Sequence, residues 1–352
     1  MIMTQIDKSK PVMVSGANGY VASWLVKSLL DDGITVHAAV RNPKNEAKVG
    51  HLKSIAEKAP GELKLFATDL LIEGSYTEAM AGCELVYHTA SPFKSEVKDA
   101  QSELIDPALK GTENVLNTAN ITPSVKRVVV TSSVVAIFSD AQESVDAGKL
   151  TEAHWNETSS LEYQPYAYSK TLAEKRAWEI AKSQDQWDLV CINMSFVLGP
   201  FLSNAANDSE SVTVLKMFGD GQMKAGVPNL GMGMVDVRDV AEAHKRAGYT
   251  PEAQGRYITS AHNTNFLNIG LSIGKKYGKD YPTPKKALPK WLVMIVGPFI
   301  NKSFTRNYVR RNVNVPVNLD NSKIKNELGI KFRAMDKTLH DGFQELIDKG
   351  LI

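Results

Sequence analysis

Cysteine is nearly absent from this chain. Its two copies in 352 residues, Cys83 and Cys191, lie in apolar, strand-like surroundings with no CxxC spacing. That excludes a disulfide framework and a thiolate metal site, and it suits a reducing compartment. The seven histidines, His37, His51, His88, His154, His244, His262 and His340, share no ligand spacing, so no metal is expected. An excess of one charge is also missing: 41 basic residues stand against 39 acidic, a net +2, and nucleic acid is not an expected partner. Long apolar runs are lacking too. The opening MIMTQIDKSK has no signal-peptide core, and Trp291–Ile300 is too short to cross a bilayer. A cytoplasmic protein without a stable membrane span is the expectation.

What is present is a strand, a glycine turn and a helix at the start. Val12-Met-Val-Ser leads into Gly16-Ala-Asn-Gly19-Tyr-Val-Ala22, and an amphipathic helix continues to about Leu30. Small residues at Gly16, Gly19 and Ala22 let the backbone approach a pyrophosphate and present helix N-terminal amides to its charge. Strand and helix then alternate: strands at Ile34–Val40, Leu63–Phe66, Glu84–His88 and Arg127–Thr131, with helices near 45–58, 76–81 and 103–119. This order predicts an α/β fold, a Rossmann-type doubly wound parallel sheet with ligand loops at the carboxyl ends of its strands. Where an NAD-selective site places a carboxylate at the end of the second strand, this chain has Arg41, with Lys48 following. Two cations there fit a ribose 2′-phosphate, so NADP(H) is the expected cofactor.

The candidate chemistry lies further on. Thr131-Ser-Ser133 ends the strongest strand run, and Tyr166-Ala-Tyr-Ser-Lys170 opens a helix through about Ala181. Residues four apart share a helix face, so Tyr166 and Lys170 project together, with Tyr168 turned away. A phenol is a poor acid-base catalyst near neutrality unless its surroundings adjust it. An adjacent ammonium from Lys170 is expected to lower its pKa, while Ser133 hydrogen-bonds the substrate oxygen.

With VSGANGYVASWLVKSLL, AVRNP, TDL at 68–70, HTASPF at 88–93, VVVTSS, YAYSK and VDVRDVAEAH at 235–244, the chain resembles the extended short-chain dehydrogenases/reductases, in the branch of dihydroflavonol, cinnamoyl-CoA and yeast-type aldehyde/ketone reductases. The resemblance runs from about Pro11 to Gly342. It implies that Gly16, Asn18, Gly19, Tyr20 and Val21 lie on the pyrophosphate, Arg41 and Lys48 near the ribose phosphate, and Asp69 and Leu70 beside the adenine. It further implies cofactor contacts from Thr89, Ala90, Ser91, Thr131, Tyr166, Lys170, Met194, Ser195 and Val197. Ser133, Tyr166 and Lys170 become the catalytic trio, and Asn114 relays protons or supports the site. Ser195 stands where the family usually has proline.

The resemblance implies two lobes: 1–193 mainly cofactor-binding, and 194–352 mainly substrate-binding, with 233–262 partly returning to the first. Phe201–Met232 reads as a partly ordered substrate flap in which Met217, Phe218 and Met223 serve either a pocket or ordinary packing. Phe93 and His154 are further substrate candidates, with His154 and Trp155 near the entrance. Phe138 replaces the asparagine that grips phenolic hydroxyls in plant flavonoid reductases, which points to less polar carbonyls. Asp236, Arg238 and Asp239 read as an inter-lobe network. Trp291–Ile300 reads as a helix packed on the small lobe or as a subunit contact, with membrane association the less supported alternative because the cationic flank Lys302–Arg311 also reads as a solvated face; GIKFR at 329–333 reads as a late strand.

The expected activity is NADPH-dependent reduction of an aldehyde or ketone to an alcohol, with Tyr166 as general acid, in a monomer or homodimer. A dihydroflavonol- or cinnamoyl-type reductase is the alternative. A sugar-nucleotide epimerase or dehydratase fits less well because of Arg41 and the apolar flap, and a redox-inert cofactor sensor because the trio is intact.

Overall fold

A computed structural model describes residues 3–91, 97–203, 209–300 and 303–352. Seven parallel strands form the large sheet: β1 (Val12–Ser15), β2 (Val36–Val40), β3 (Leu63–Ala67), β4 (Leu85–His88), β5 (Arg127–Ser133), β6 (Asp188–Met194) and, later in the chain, β9 (Gly255–Thr259). Their spatial order is β3-β2-β1-β4-β5-β6-β9. The chain thus reverses direction across the sheet between β1 and β4, the crevice where doubly wound folds bind ligands. Both faces of β1, β2 and β4 are sealed, which is why these strands read as unbroken apolar runs rather than alternating ones. Helix Tyr20–Asp31 buries Ala22, Leu25, Val26, Leu29 and Leu30, the stripe that helical spacing puts on one face. Each such leucine or valine stabilises the fold by roughly 1.5–3 kcal/mol.

A second, three-stranded sheet joins β7 (Phe196–Leu198), β8 (Gly231–Asp236) and β10 (His262–Asn265), with β8 in the centre. From β8 the chain returns to the large sheet through helix Val237–Tyr249 and β9. The core of the smaller lobe joins Leu198, Phe201, Val212, Leu215 and Phe218 to Leu339, Phe343 and Leu346 of the late helix Met335–Asp348.

Two expectations are corrected here. The described part of 201–232 is not a flap: it carries helix Glu210–Met217, whose Val212, Val214 and Leu215 are buried in that core. Its serine- and asparagine-rich composition masked a regular apolar face. Nor does 329–333 form a strand. Its backbone groups are taken by side chains: Gly329 O accepts from Arg246 Nη1 at 3.1 Å, Arg333 N donates to Asp239 Oδ2 at 2.8 Å, and Arg333 O contacts His262 Nε2 at 2.8 Å. Ile330 is buried and supplied the strand-like signal, but no neighbouring strand is needed to satisfy the segment.

Candidate active site

The glycine turn follows β1 at the switch point. Gly16 has φ +61°, and a Cβ there would stand 3.0 Å from the Ala90 Cα. Only glycine meets both demands. Gly19 caps helix Tyr20–Asp31, whose first turn holds no acidic side chain and whose N-terminus has no side-chain cap. Those amides remain suited to an anion. Tyr20 contributes backbone there, since its hydroxyl donates to Gly199 O at 2.9 Å and ties the turn to the small lobe.

Register places Ser15 beside His88, and Ser133 beside Met194, at the carboxyl ends of β1, β4, β5 and β6. Ser15 Oγ accepts from the amides of Thr89 and Ala90, each at 3.0 Å, and lies 2.9 Å from His88 Nδ1. With its lone pairs so engaged, the serine O–H donates to the imidazole. Burial, and then the nearby Lys170 charge, push His88 down to about 3, so it is neutral. This Ser15–His88 clamp, which shapes the loop carrying Thr89, Ala90 and Ser91, escaped the sequence reading.

Helix Pro165–Lys182 brings Tyr166 and Lys170 onto one face. Lys170 Nζ lies 5.8 Å from the Tyr166 ring centre and donates to Ser91 Oγ at 2.7 Å, linking this helix to the loop after β4. Ser133 ends β5, where its Oγ accepts from Val135 N at 3.3 Å and stands 3.4 Å from Met194 O. The electrostatics differ from expectation. Burial pushes the Tyr166 phenol up to about 12 and the Lys170 ammonium down to about 8. Desolvation of the phenolate outweighs attraction by an ammonium that is itself partly desolvated. In this state the Tyr166 phenol is protonated at neutral pH.

Two buried carboxylates support the arrangement, and neither was singled out from sequence. Asp140 accepts from Tyr163 Oη at 2.7 Å, Gln164 Nε2 at 3.0 Å, Arg311 Nε at 2.6 Å and Asn312 Nδ2 at 2.6 Å. Gln164 sits at φ +54°, left-handed and unfavourable for a residue with a Cβ, immediately before Pro165 opens the helix that carries Tyr166 and Lys170. Asp140 and Ser139 O hold it there. Glu174 accepts from Arg256 Nε at 2.6 Å and Asn193 Nδ2 at 2.7 Å, and Ser132 Oγ also donates to it. The signal for Glu174 was present, because Tyr166, Lys170 and Glu174 continue one four-residue stripe.

The NAD-dependent epimerase/dehydratase family model matches residues 12–259. The chain belongs to this family. Within it, as an extended short-chain dehydrogenase/reductase, the chain is 43% identical over 294 residues to cinnamoyl-CoA reductase CAD2 of Medicago truncatula, covering 80% of this chain and 87% of that one. It is 35% identical to tetraketide alpha-pyrone reductase 2 of Arabidopsis thaliana, covering 97% and 99%. Among solved structures, Gre2 of Candida albicans in complex with NADPH superposes with a TM-score of 0.77 at 28% identity, covering 96% of this chain and 99% of that one.

Other family positions fall as follows. Arg41 is 86% exposed, with Nε 3.8 Å from Asp69 Oδ2, and Lys48 lies in the first turn of helix Glu46–Ala56. Leu70 packs over Gly111, where a Cβ would meet its Cγ at 2.5 Å. Asn114 clamps the loop after β3: its amide donates to Leu70 O and Ile72 O at 3.1 and 2.8 Å and accepts from Gly74 N at 3.1 Å. Thr131 Oγ1 is paired with His244 Nε2 at 2.7 Å, and Ser195 Oγ turns back to Thr259 O at 3.4 Å. Val197 is buried and Asn18, Val21 and Met194 are half-buried.

The substrate candidates fare less well. Phe218 is fully buried in the small-lobe core against Phe266, 5.7 Å between ring centres, and offers a ligand nothing; the adjacent Met217 is half-buried. Phe138 retains 8% of its surface, packed with Val134, Leu150, Val317 and Leu319. His154 Nδ1 accepts from Thr151 N at 3.1 Å, and Trp155 stacks on the Arg256 guanidinium at 3.9 Å, beside β9 and not at an entrance. Phe93 lies outside the described residues. Asp236, Arg238 and Asp239 do form a network: Arg238 bridges Asp236 at 2.6 Å and Asp341 at 2.7 Å, and Asp239 pairs with Arg333.

Proposed function

We propose that this oxidoreductase uses NADPH to reduce an aldehyde or ketone carbonyl to the alcohol. The observation that carries the reading is the Tyr166–Lys170 face, tied through Ser91 to the loop beside the glycine turn. The residues present fit the cofactor: Gly16 leaves a cradle that a Cβ would fill, the helix N-terminus is free of acidic side chains, and Arg41 is largely in solvent beside Asp69. Bound there, NADPH would supply the hydride. Gly16, Gly19 and the first helical amides hold the pyrophosphate, Arg41 and Lys48 the 2′-phosphate, and Lys170 the ribose hydroxyls.

The chain's own residues then manage the proton and the developing charge. Ser133 donates a hydrogen bond to the carbonyl oxygen, and Tyr166 gives it a proton as negative charge accumulates. A phenol that burial pushes up to about 12 is protonated at neutral pH and so has a proton to give. Asp140 and Glu174 keep the helix in register. Likeness to cinnamoyl-CoA reductases supports a second reading, in which the carbonyl belongs to an acyl-CoA thioester.

The test follows NADPH oxidation against aliphatic and aryl aldehydes, ketones and cinnamoyl-CoA, with product analysis. Alcohol formation is expected, and Tyr166→Phe should lower kcat by on the order of 10²–10⁴ with NADPH binding retained. A wild-type-like Tyr166→Phe variant, or no product from any carbonyl, would sink the proposal.

A further inference from the structure

Among the described residues, the outer face of helix Lys290–Ile300 is unpartnered. After Lys290 it is apolar throughout, WLVMIVGPFI, and only its inner side is used: Val293 packs with Val309 and Val313, and Gly297 lies against Phe304. The outer side presents Trp291, Ile295, Val296, Phe299 and Ile300, with Phe299 88% and Ile300 80% exposed. Trp291, Ile295 and Phe299 are four apart and form one stripe. Eleven residues span about 16 Å of helix, far short of a bilayer core. Among the described residues no helix is long and apolar enough to cross a membrane.

The surrounding sequence says what this face meets. Between Asp280 and Asp320 there is no acidic residue, while Lys285, Lys286, Lys290, Lys302, Arg306, Arg310 and Arg311 are all cationic. Among the described residues, Arg311 is the only one of these in an ion pair, with Asp140. Lys285, Lys286, Arg306 and Arg310 are exposed. Helix Arg306–Asn312 is fastened beside the apolar helix by the inner cluster and by Lys290 Nζ, which donates to Arg310 O at 2.8 Å. An apolar stripe with an aromatic residue at each end, flanked by unpaired cations, is complementary to an anionic lipid surface. A second copy fits less well: a two-fold contact sets the same patch against itself and would oppose cation to cation.

We infer that residues 285–300 and 303–310 form an in-plane docking surface for anionic membrane lipid. The apolar stripe enters the headgroup boundary and the lysines and arginines engage the phosphates and carboxylates above it. Through the Arg311 and Asn312 bonds to Asp140, this surface is joined to the segment that carries Gln164 and Tyr166. The inference is independent of the reductase reading.

The experiment is co-sedimentation of the full chain with vesicles of phosphatidylcholine alone and with roughly a fifth phosphatidylserine. Binding to the anionic vesicles should exceed that to neutral ones by about tenfold or more and weaken with salt. Ile295→Glu/Phe299→Glu should abolish it with the circular dichroism spectrum and unfolding midpoint unchanged, and Arg306→Gln/Arg310→Gln should lower it about fivefold or more. The inference is overturned if wild type stays in the supernatant at low salt, or if the double glutamate variant still binds. It is equally overturned if sedimentation equilibrium shows that those glutamates dissociate a dimer that never binds vesicles.

Discussion

Lys170 combines a cost in stability with the role in chemistry proposed for it, and replacing it by methionine separates the two. Burial lowers its ammonium from 10.5 to about 8. One pKa unit corresponds to about 1.4 kcal/mol, so at pH 7 the folded state carries a penalty of up to about 3 kcal/mol for holding the charged form. Lys170 is half-buried, not sealed, and solvent trims that figure; loss of the bond to Ser91 Oγ returns about 1 kcal/mol. A net gain of about 1 kcal/mol is expected for Lys170→Met. The sign follows from proton counting: between the folded and unfolded pKa values the unfolded chain holds the extra proton, so wild-type stability rises with pH across that window. Below about pH 8 the penalty is fully present, and by pH 10.5 it has largely gone. Urea unfolding of wild type and variant without cofactor, at pH 7 and pH 10, should show the variant more stable at pH 7 and the gap closing at pH 10. Turnover should fall at both. A variant less stable than wild type at pH 7, or a gap that does not change with pH, would refute the desolvation argument.

Arg41→Ala should raise the KM for NADPH by tenfold or more, as expected for the loss of a charge-assisted contact, while leaving that for NADH nearly unchanged; steady-state kinetics with both cofactors decides it. Asp140→Ala leaves the Arg311 guanidinium and three neutral donors without their acceptor and should cost about 2–4 kcal/mol by denaturant titration. If Asp140 positions Tyr166, the kcat of the folded fraction should fall more than KM changes, and Asp140→Asn should recover part of it.

The fold, the glycine turn and the placing of Tyr166 beside Lys170 were legible because they depend on local signals. A strand followed by small residues at 16, 19 and 22, the Arg41 that replaces an acid, and the four-residue step from Tyr166 to Lys170 are each contained in a short window. The supports were not legible for the opposite reason: Asp140 meets Arg311 across 171 positions and Glu174 meets Arg256 across 82. Beyond the four-residue stripe that carries Glu174, no periodicity announces which of 39 carboxylates will be buried. The substrate side misled for a related cause. Phe218 and Phe138 have the residue type of a pocket wall, but aromatic side chains fill cores as readily, and only the packing of residues far along the chain shows that they do so here.

The distribution of the ion pairs made by buried carboxylates bears on how the lobes stay aligned. Arg311–Asp140, Arg256–Glu174 and Arg333–Asp239 each join a segment at the site or the lobe boundary to one much later in the chain. Such pairs add little net stability, because desolvation offsets most of the Coulomb gain. Their geometry is demanding, however, and a shifted helix would leave a buried charge without its partner. That penalty falls on misalignment rather than on unfolding. It places the directional constraint beside the two elements that carry Ser133 and the Tyr166–Lys170 face, while the apolar clusters on either side of the sheet, indifferent to small shifts, provide most of the stabilisation.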